Sequence, residues 1–298
     1  QFLVNKTNKR TDEWGGSYEN RMRLPIEIVK RIRLAVGPNF IIIYRLSMLD
    51  LVEGGSSWEE VVELAKRIED AGCTIINTGI GWHEARVPTI ATMVPRGGFS
   101  WVTQKMMSEV NIPLCTTNRI NAPEIAEDIL SSGHSDLVSM ARPFLADSHF
   151  VQKAMNDKAD EINTCIGCNQ ACLDHVFQMK VASCLVNPRA CHETTLKIKP
   201  VESGKSQRIA IVGAGPAGLA ASITAAERGH DVTLYDKDNV IGGQFNMAKK
   251  VPGKEEFHET LRYFNNMIKK YNVNLFLNTE VTSDILNDGN YDSIIIAT

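Results

Sequence analysis

Four of the seven cysteines are crowded into one short stretch of the chain. Cys165, Cys168, Cys172 and Cys184 are separated by two, three and eleven residues. Four thiolates with no obligatory histidine suit either an iron–sulfur cluster or a structural zinc ion. The close first spacings let one loop wrap a compact cluster, and the last ligand returns from further along the chain. An odd cysteine total with one tight group favours metal binding in a reducing compartment over a disulfide framework.

The glycine-rich run from Gly213 to Gly218 is a second chemical signature, G-x-G-x-x-G. An apolar strand-like run, 209–212, precedes it, a helical run follows it, and Asp236 ends the next strand-like run. In this context Gly213 permits a tight turn, Gly215 lets a pyrophosphate approach, and Gly218 lets helix and strand meet. The helix N-terminus offers free N–H groups to phosphate, and Asp236 can accept hydrogen bonds from ribose hydroxyls. The spacing therefore predicts a dinucleotide-binding domain.

The glycine motif alone does not separate FAD from NAD(P). The run 241–244, Ile-Gly-Gly-Gln, lies just beyond the acidic residue and favours FAD. We predict FAD contacts at Gly213, Ala214, Gly215, Gly218, Asp236, Lys237, Gly243 and Gln244.

Polar residues follow each of four short apolar runs in the first half of the chain, among them Arg45, His83, Arg119 and Arg142. In a β/α barrel, residues after the strands all face the catalytic end. A cation such as Arg45 can stabilise negative charge on a reduced flavin there, although a structural ion pair fits its position about as well. His83 can orient or donate a proton near neutral pH, although a lone histidine is more often structural.

The elements that must position these residues alternate between strand-like and helix-like runs. Ser57 and Glu60 form a capping box ahead of one helix. Four consecutive βα units predict a parallel sheet with helices outside it. Because four units cannot close an eight-stranded barrel, the region is an open sheet or the second half of a (β/α)8 TIM barrel, and the polar strand ends favour the half barrel. The predicted strands span 40–44, 74–77, 112–115 and 136–140.

Bulk composition narrows the class of protein. A length of 298 residues predicts about two domains. A net charge of −3 predicts no nucleic-acid partner. No stretch approaches the ~18 apolar residues that a membrane span needs. Together with the cysteine usage, these features predict a cytoplasmic protein, and we expect no obligatory protein partner.

Several stretches carry a family resemblance. The run Trp-Gly-Gly-Ser-Tyr-Glu-Asn-Arg at 14–21, together with 44–47 and 141–147, resembles the old yellow enzyme family. The cysteine segment and the start of the FAD domain narrow the resemblance to the multidomain branch that includes bacterial 2,4-dienoyl-CoA reductase and trimethylamine dehydrogenase. Stretches 79–86 and 164–172 are most similar to the dienoyl-CoA reductases. The resemblance covers essentially the whole chain, though only part of such an enzyme.

The resemblance implies an electron path. NADPH reduces FAD, a [4Fe–4S] cluster on the four cysteines relays single electrons, and FMN collects two and reduces a 2,4-dienoyl-CoA thioester in unsaturated fatty acid β-oxidation. It implies that His83 is catalytic, that its tyrosine partner precedes Gln1, and that an NADPH domain follows Thr298. We therefore expect this stretch alone not to turn over. The implied FMN contacts are Arg45, Arg119, Ala141 and Arg142. The implied substrate contacts are Lys6, His83, Glu84, Ala85 and Arg86, with Lys6 standing where the family often has arginine.

The implied domain organisation has four parts. Residues 1–158 form the C-terminal half of an FMN-binding TIM barrel, and 159–200 form the cluster segment. Residues 201–207 are a polar linker, and 208–298 form the N-terminal part of a Rossmann-like FAD-binding domain.

Two alternatives remain open. An amine dehydrogenase of the same architecture would pass electrons from FMN to the cluster and on to an external acceptor. A non-catalytic zinc-bearing binding module would place a single metal ion on the same cysteines.

Overall fold

A four-stranded parallel sheet organises the first part of the chain, with its strands adjacent in chain order. The computed structural model describes residues 1–298, which divide by compactness into two units, Gln1–Ala141 and Arg142–Thr298. The predicted alternation of strands and helices and the parallel sheet are confirmed. The elements of the first unit are α1 (Tyr18–Val36), β1 (Ile43–Leu49), α2 (Trp58–Asp70), β2 (Ile75–Ile80), α3 (Ser100–Met107), β3 (Leu114–Thr116), α4 (Pro123–Ser131) and β4 (Leu137–Val138).

Helices cover only one face of this sheet. Leu46 and Met48 of β1 are buried against them. Alternate residues of a strand point to opposite faces, and on the other face Ile43 is 60% exposed. The prediction of a first strand at 40–44 that is buried on both faces is wrong, because pairing with β2 begins at Ile43 and runs on to Leu49. Residues 40 and 41 lie outside the strand and are exposed.

The capping box at the start of α2 is confirmed. The Ser57 hydroxyl accepts a hydrogen bond from the Glu60 N–H at 3.2 Å, and the Glu60 carboxylate accepts one from the Ser57 N–H at 3.1 Å. These bonds satisfy N–H groups that the first helical turn leaves without partners. The apolar face of the helix is buried; it consists of Val61, Leu64, Ala65 and Ile68.

The second unit contains a separate four-stranded parallel sheet with strand order β7-β6-β5-β8. Numbered from its own first strand, this order is 3-2-1-4, as in doubly wound dinucleotide-binding folds. The first strand of this sheet begins at Arg208. The elements are α5 (Arg142–Ala146), α6 (Phe150–Met155), α7 (His175–Phe177), β5 (Arg208–Val212), α8 (Pro216–Glu227), β6 (Asp231–Tyr235), α9 (Phe245–Ala248), α10 (Phe257–Lys270), β7 (Asn274–Phe276), α11 (Ser283–Asp288) and β8 (Ser293–Ile296).

The cysteine segment lies between α6 and β5 and is mostly irregular. It holds one 3-10 turn, Ala159–Glu161, and one π-helical turn, Gln170–Asp174, followed by the short α7. Residues 142–158, which the sequence assigned to the first domain, group by compactness with this segment. None of the helices combines the length and the apolar character needed to cross a bilayer.

Candidate functional site

The turn between β5 and α8 is packed too tightly for side chains at two of its glycines. Gly213 has φ +108°, and a Cβ there would come within 2.6 Å of the Ala297 carbonyl oxygen. A Cβ at Gly218 would overlap with the Gly213 carbonyl oxygen. Gly218 therefore lets the first turn of α8 sit directly against the strand end, which is the packing role expected of the third glycine.

Gly215 differs from its neighbours because it faces open space. It is the N-cap of α8, it has ordinary negative φ, and a Cβ there would meet nothing within 4 Å. No side chain caps the helix, so its first N–H groups remain available to a ligand. A cavity of about 860 Å³ opens directly beside it. This arrangement fits the pyrophosphate of a dinucleotide.

Six of the eight predicted FAD contacts line this cavity: Gly213, Gly215, Asp236, Lys237, Gly243 and Gln244. Ala214 and Gly218 do not. The backbone N–H of Ala214 donates to the Asp236 carboxylate at 2.5 Å, and its carbonyl accepts from the Gly242 N–H at 2.7 Å. Ala214 thus fastens the glycine turn to Asp236 and to the following loop.

Sequence reasoning missed several cavity residues, including the run 279–281 after β7. The order of strands and helices in the sequence could have predicted this run, because ligands bind where the carboxyl ends of parallel strands meet at one edge of the sheet. The other missed lining residues are Val212, Pro216, Ala217, Asp238, Met247, Ala297 and Thr298.

The four clustered cysteines are close enough to influence one another's ionisation. The pKa of the Cys184 thiol is raised to about 11, mainly by burial and in smaller part by the nearby Cys165 and Cys168 sulfurs. Burial likewise raises the pKa of Cys168, with added contributions from Cys165 and Cys172. Left-handed backbone at Gly167, φ +64°, turns the chain between the first two cysteines.

The geometry of the cysteines bears on the kind of metal site they can form. No three acidic, histidine or cysteine side chains lie together in a geometry suited to one metal ion. A mononuclear zinc site needs its sulfurs about 2.3 Å from a single centre. Four clustered thiolates suit soft metals in general, so the segment is compatible with an iron–sulfur cluster and with a structural zinc ion.

Asp147 and two asparagines hold the ends of the cysteine segment. The Asp147 carboxylate accepts from the Lys153 ammonium at 2.5 Å and from the Asn163 N–H at 2.9 Å. The Asn163 side-chain amide donates to the carbonyl of Val186, and the Asn187 amide donates to that of Leu145 at 2.9 Å. The chain before Cys165 and the chain after Cys184 are thereby tied together.

In the first unit, Arg45 belongs to a polar chain that crosses the sheet. Its guanidinium donates to the side-chain oxygen of Asn77, the residue paired with it on β2. The Asn77 amide in turn donates to the Ser139 hydroxyl at 2.9 Å and to the Cys115 carbonyl at 3.3 Å. Asn77 and Ser139 were not among the predicted site residues, because their role depends on strand register. The Asn77 side chain fixes the Arg45 guanidinium on one side, and Arg45 is otherwise exposed, so its charge is accessible to a ligand.

The remaining predicted FMN contacts lie in different surroundings. Arg119 is 5% exposed, has left-handed backbone with φ +59°, and donates from Nε to the Val94 carbonyl at 2.9 Å. Ala141 is exposed at the end of the first unit. Arg142, in the second unit, hydrogen-bonds the side-chain oxygen of Asn169.

The predicted substrate residues lie on surface segments of the first unit. Lys6, His83, Glu84 and Arg86 are exposed, and Ala85 is half-buried. The loop that carries four of them continues the pairing of β2 with β1, since the Gly81 N–H donates to the Leu49 carbonyl at 2.6 Å.

Two family models match the chain. That of the NADH:flavin oxidoreductase / NADH oxidase family covers residues 1–161. The chain belongs to this family. A second model, pyridine nucleotide-disulphide oxidoreductase, covers residues 207–298, which contain the glycine turn and the cavity. The family assignment and this second domain agree with the flavin-dependent oxidoreductase class inferred from the sequence.

The chain is similar in sequence to two curated relatives over most of its length. It is 38% identical over 302 residues to a metal reductase of Desulforamulus reducens, covering 100% of this chain and 45% of the relative. It is 40% identical over 260 residues to an NADH oxidase of Thermoanaerobacter brockii, and the match covers 85% of this chain and 39% of the relative. The chain thus spans less than half the length of these relatives.

Solved structures agree with the fold. A 2-naphthoyl-CoA reductase in complex with 2-naphthoyl-CoA superposes with a TM-score of 0.96 at 38% identity, covering 100% of this chain and 45% of that one. Histamine dehydrogenase from Rhizobium sp. 4-9 superposes with a TM-score of 0.88 at 28% identity, and the match covers 100% of this chain and 43% of that one.

Proposed function

We propose that the complete protein is an NADPH-dependent reductase of conjugated acyl-CoA thioesters, with 2,4-dienoyl-CoA as its substrate. The observation that supports it is that one compact unit contains both the four-thiol segment and the dinucleotide-type cavity at the glycine turn. The family assignment supports flavin chemistry. The 2-naphthoyl-CoA reductase, a relative at 38% identity, supports an acyl-CoA as the substrate class.

Bound FMN and FAD would supply hydride chemistry, and a [4Fe–4S] cluster would supply single-electron transfer between them. The residues of this chain then have distinct tasks. The N-terminus of α8 would hold the pyrophosphate of FAD, and Asp236 would accept hydrogen bonds from its ribose hydroxyls. The four cysteines hold the iron.

Arg45 and His83 carry the chemistry at the FMN side. Arg45, held in place by Asn77, stabilises negative charge on the reduced flavin. His83 delivers or orients the proton that the developing thioester enolate requires, acting with a tyrosine from another part of the protein. Lys6 and the His83–Arg86 stretch contact the substrate, while Arg119, Ala141 and Arg142 contact FMN.

The uncovered face of the first sheet supports the half-barrel proposal. Ile43 is 60% exposed and Leu137 is 42% exposed on short parallel strands, which normally occur buried on both faces. We propose that further βα units of the complete protein cover this face and close the barrel. A cytoplasmic location and the absence of an obligatory protein partner belong to the same proposal.

Anaerobic stopped-flow on the full-length protein tests the function. NADPH should bleach the flavin absorbance, and added 2,4-dienoyl-CoA should restore it, with iron and acid-labile sulfide present in the same sample. Flavin that stays reduced after the thioester is added contradicts the proposed substrate. Zinc without iron contradicts the electron path and favours the binding module.

An amine dehydrogenase is the second candidate, and the likeness to histamine dehydrogenase favours it. The sequence around His83, Gly-Trp-His-Glu-Ala-Arg, favours the reductase. The two are separated by mixing the oxidised enzyme with an amine and no NADPH. Bleaching of the flavin by histamine or trimethylamine would establish the dehydrogenase.

A further inference from the structure

Helix α10 has two faces with different partners. Its apolar residues Phe264, Met267 and Ile268 are buried in the core of the dinucleotide-binding domain, together with Ile211 of β5 and Leu234 of β6. The helix therefore shares its core with β5, the strand that leads into the glycine turn. Any residue fixed to its other face is fixed relative to the FAD cavity.

That other face carries a polar stripe of Arg262, Asn266 and Lys270, spaced by one helical turn each. The Asn266 amide donates to the Asp160 carbonyl at 2.9 Å. The Lys270 ammonium pairs with the Glu161 carboxylate at 2.5 Å. Residues three and four apart share one helix face, so these side chains bind one continuous segment of chain.

Arg262 makes the largest set of bonds. One terminal nitrogen donates to the Asp160 carbonyl at 2.5 Å, and the other donates to the Ile162 carbonyl at 2.8 Å and to the Thr164 hydroxyl at 3.2 Å. Its Nε pairs with Glu259 on the same helix at 2.5 Å. Four of the five N–H donors of the guanidinium are thus engaged, in the rigid fork that lysine cannot reproduce.

The segment held by the stripe ends at a cluster cysteine. Thr164 directly precedes Cys165, and Ile162 is buried. The stripe therefore connects the domain that forms the FAD cavity to the first of the four thiols through fixed side-chain contacts. Electron tunnelling weakens steeply with distance, so small displacements of this segment are enough to slow transfer.

We propose that Arg262, assisted by Asn266, is a positioning residue that holds the Cys165 end of the cluster segment at a fixed distance from FAD. This proposal rests on the proposed function for the presence of the cluster. The anchoring of residues 160–164 is a separate property of the chain and is measured independently of any metal.

The test uses the full-length enzyme and three variants. Arg262→Ala/Asn266→Ala removes the fork and the neighbouring amide, and Arg262→Lys keeps the charge without the fork. Asn265→Ala is the matched control, because Asn265 is an exposed residue of the same type on the same helix. Hydrogen–deuterium exchange follows residues 159–168, and anaerobic stopped-flow with electron paramagnetic resonance follows reduction of FAD and then of the cluster.

The double variant should show about tenfold or faster exchange in 159–168, because hydrogen bonds to charged groups are the stronger class. Cluster reduction should slow by a similar factor, while NADPH reduces FAD at the wild-type rate. Arg262→Lys should fall between the double variant and the wild type, and Asn265→Ala should match the wild type. Unchanged exchange and unchanged cluster reduction in the double variant would overturn the proposal.

Two further outcomes are distinguishable. If the double variant does not fold, Asn266→Ala alone removes one bond, and exchange equal to that of Asn265→Ala would overturn the anchoring. If the wild-type enzyme contains no iron, the proposed function and the positioning role both fail. The exchange data still report whether the stripe holds residues 160–164.

Discussion

The side-chain amide of Asn163 donates a hydrogen bond to the carbonyl oxygen of Val186 across 2.7 Å. Asn163 lies two residues before Cys165, and Val186 lies two residues after Cys184. This bond ties the chain just before the first clustered thiol to the chain just after the last one. Under the proposed function, a loop closed in this way would lower the entropy lost when iron binds.

Removing this closure should weaken iron retention. Asn163→Ala deletes the donor and leaves the Val186 carbonyl without it, at a cost of about 1–3 kcal/mol for a buried group. We expect less iron per purified full-length protein and faster iron loss to a chelator, both measured by metal analysis. Asn156→Ala is the control, since it breaks an exposed bond to the Gln152 carbonyl within α6. Equal iron loss from the two variants would contradict the closing role.

Two alanine substitutions in the glycine turn should have different effects, one on the stability of the second unit and the other on FAD binding. Gly218→Ala forces a Cβ into the Gly213 carbonyl and should destabilise the second unit by about 1–3 kcal/mol, the usual cost of overpacking. Gly215→Ala meets no protein atom but projects into the cavity. We expect it to leave the melting temperature unchanged and to weaken FAD binding about tenfold or more, equivalent to ~1.4 kcal/mol.

Melting curves and FAD content after gel filtration measure these two effects, and FMN content in the same samples is the internal control. A stable Gly218→Ala protein would show that the turn can relax. Normal FAD content in Gly215→Ala would place the pyrophosphate elsewhere.

The link from Arg45 to Asn77 should be visible in the FMN potential. Under the proposed function, Arg45→Ala removes a cation that stabilises the reduced flavin, so the midpoint potential should fall by about 30 mV or more, a tenfold change for a two-electron couple. Asn77→Ala keeps the cation but releases it, and a smaller shift in the same direction is expected. Arg31→Ala, which alters only an exposed pair with Glu27, should not move the potential. An unchanged midpoint potential in Arg45→Ala would contradict a role of Arg45 at the flavin and leave only its structural contact with Asn77.

Thiol labelling should divide the cysteines into three groups. Cys191 is exposed and should alkylate rapidly in the native enzyme, whereas Cys73 and Cys115 are buried and should not. The four clustered cysteines should be protected while iron is bound and should become reactive once it is removed. Mass spectrometry of digested samples identifies each site. Protection of Cys191, or labelling of Cys168 in iron-loaded enzyme, would contradict the assigned ligand set.

Local features of the fold could be predicted because they depend on neighbours in sequence. The capping box of Ser57 and Glu60 needs only residues three apart. The glycine turn was recognisable because its packing, helix start and acidic partner all fall within one short stretch.

Features set by long-range contacts could not be predicted in the same way. Arg262 reads as a surface residue of an amphipathic helix, and its acceptor Asp160 lies 102 residues earlier. Asn77 becomes important only once strand register places it beside Arg45. The start of β1 was missed because a short apolar run does not reveal which of its residues pair.

The double use of α10 has a consequence for anyone screening variants of this protein by phenotype. A substitution at Phe264 or Ile268 would loosen the helix from its sheet and, through the stripe on the far side, shift the first thiol. Such a variant would be scored as defective in turnover although it touches no ligand. To separate variants that fold poorly from variants that transfer electrons slowly, cofactor occupancy must be measured together with every rate.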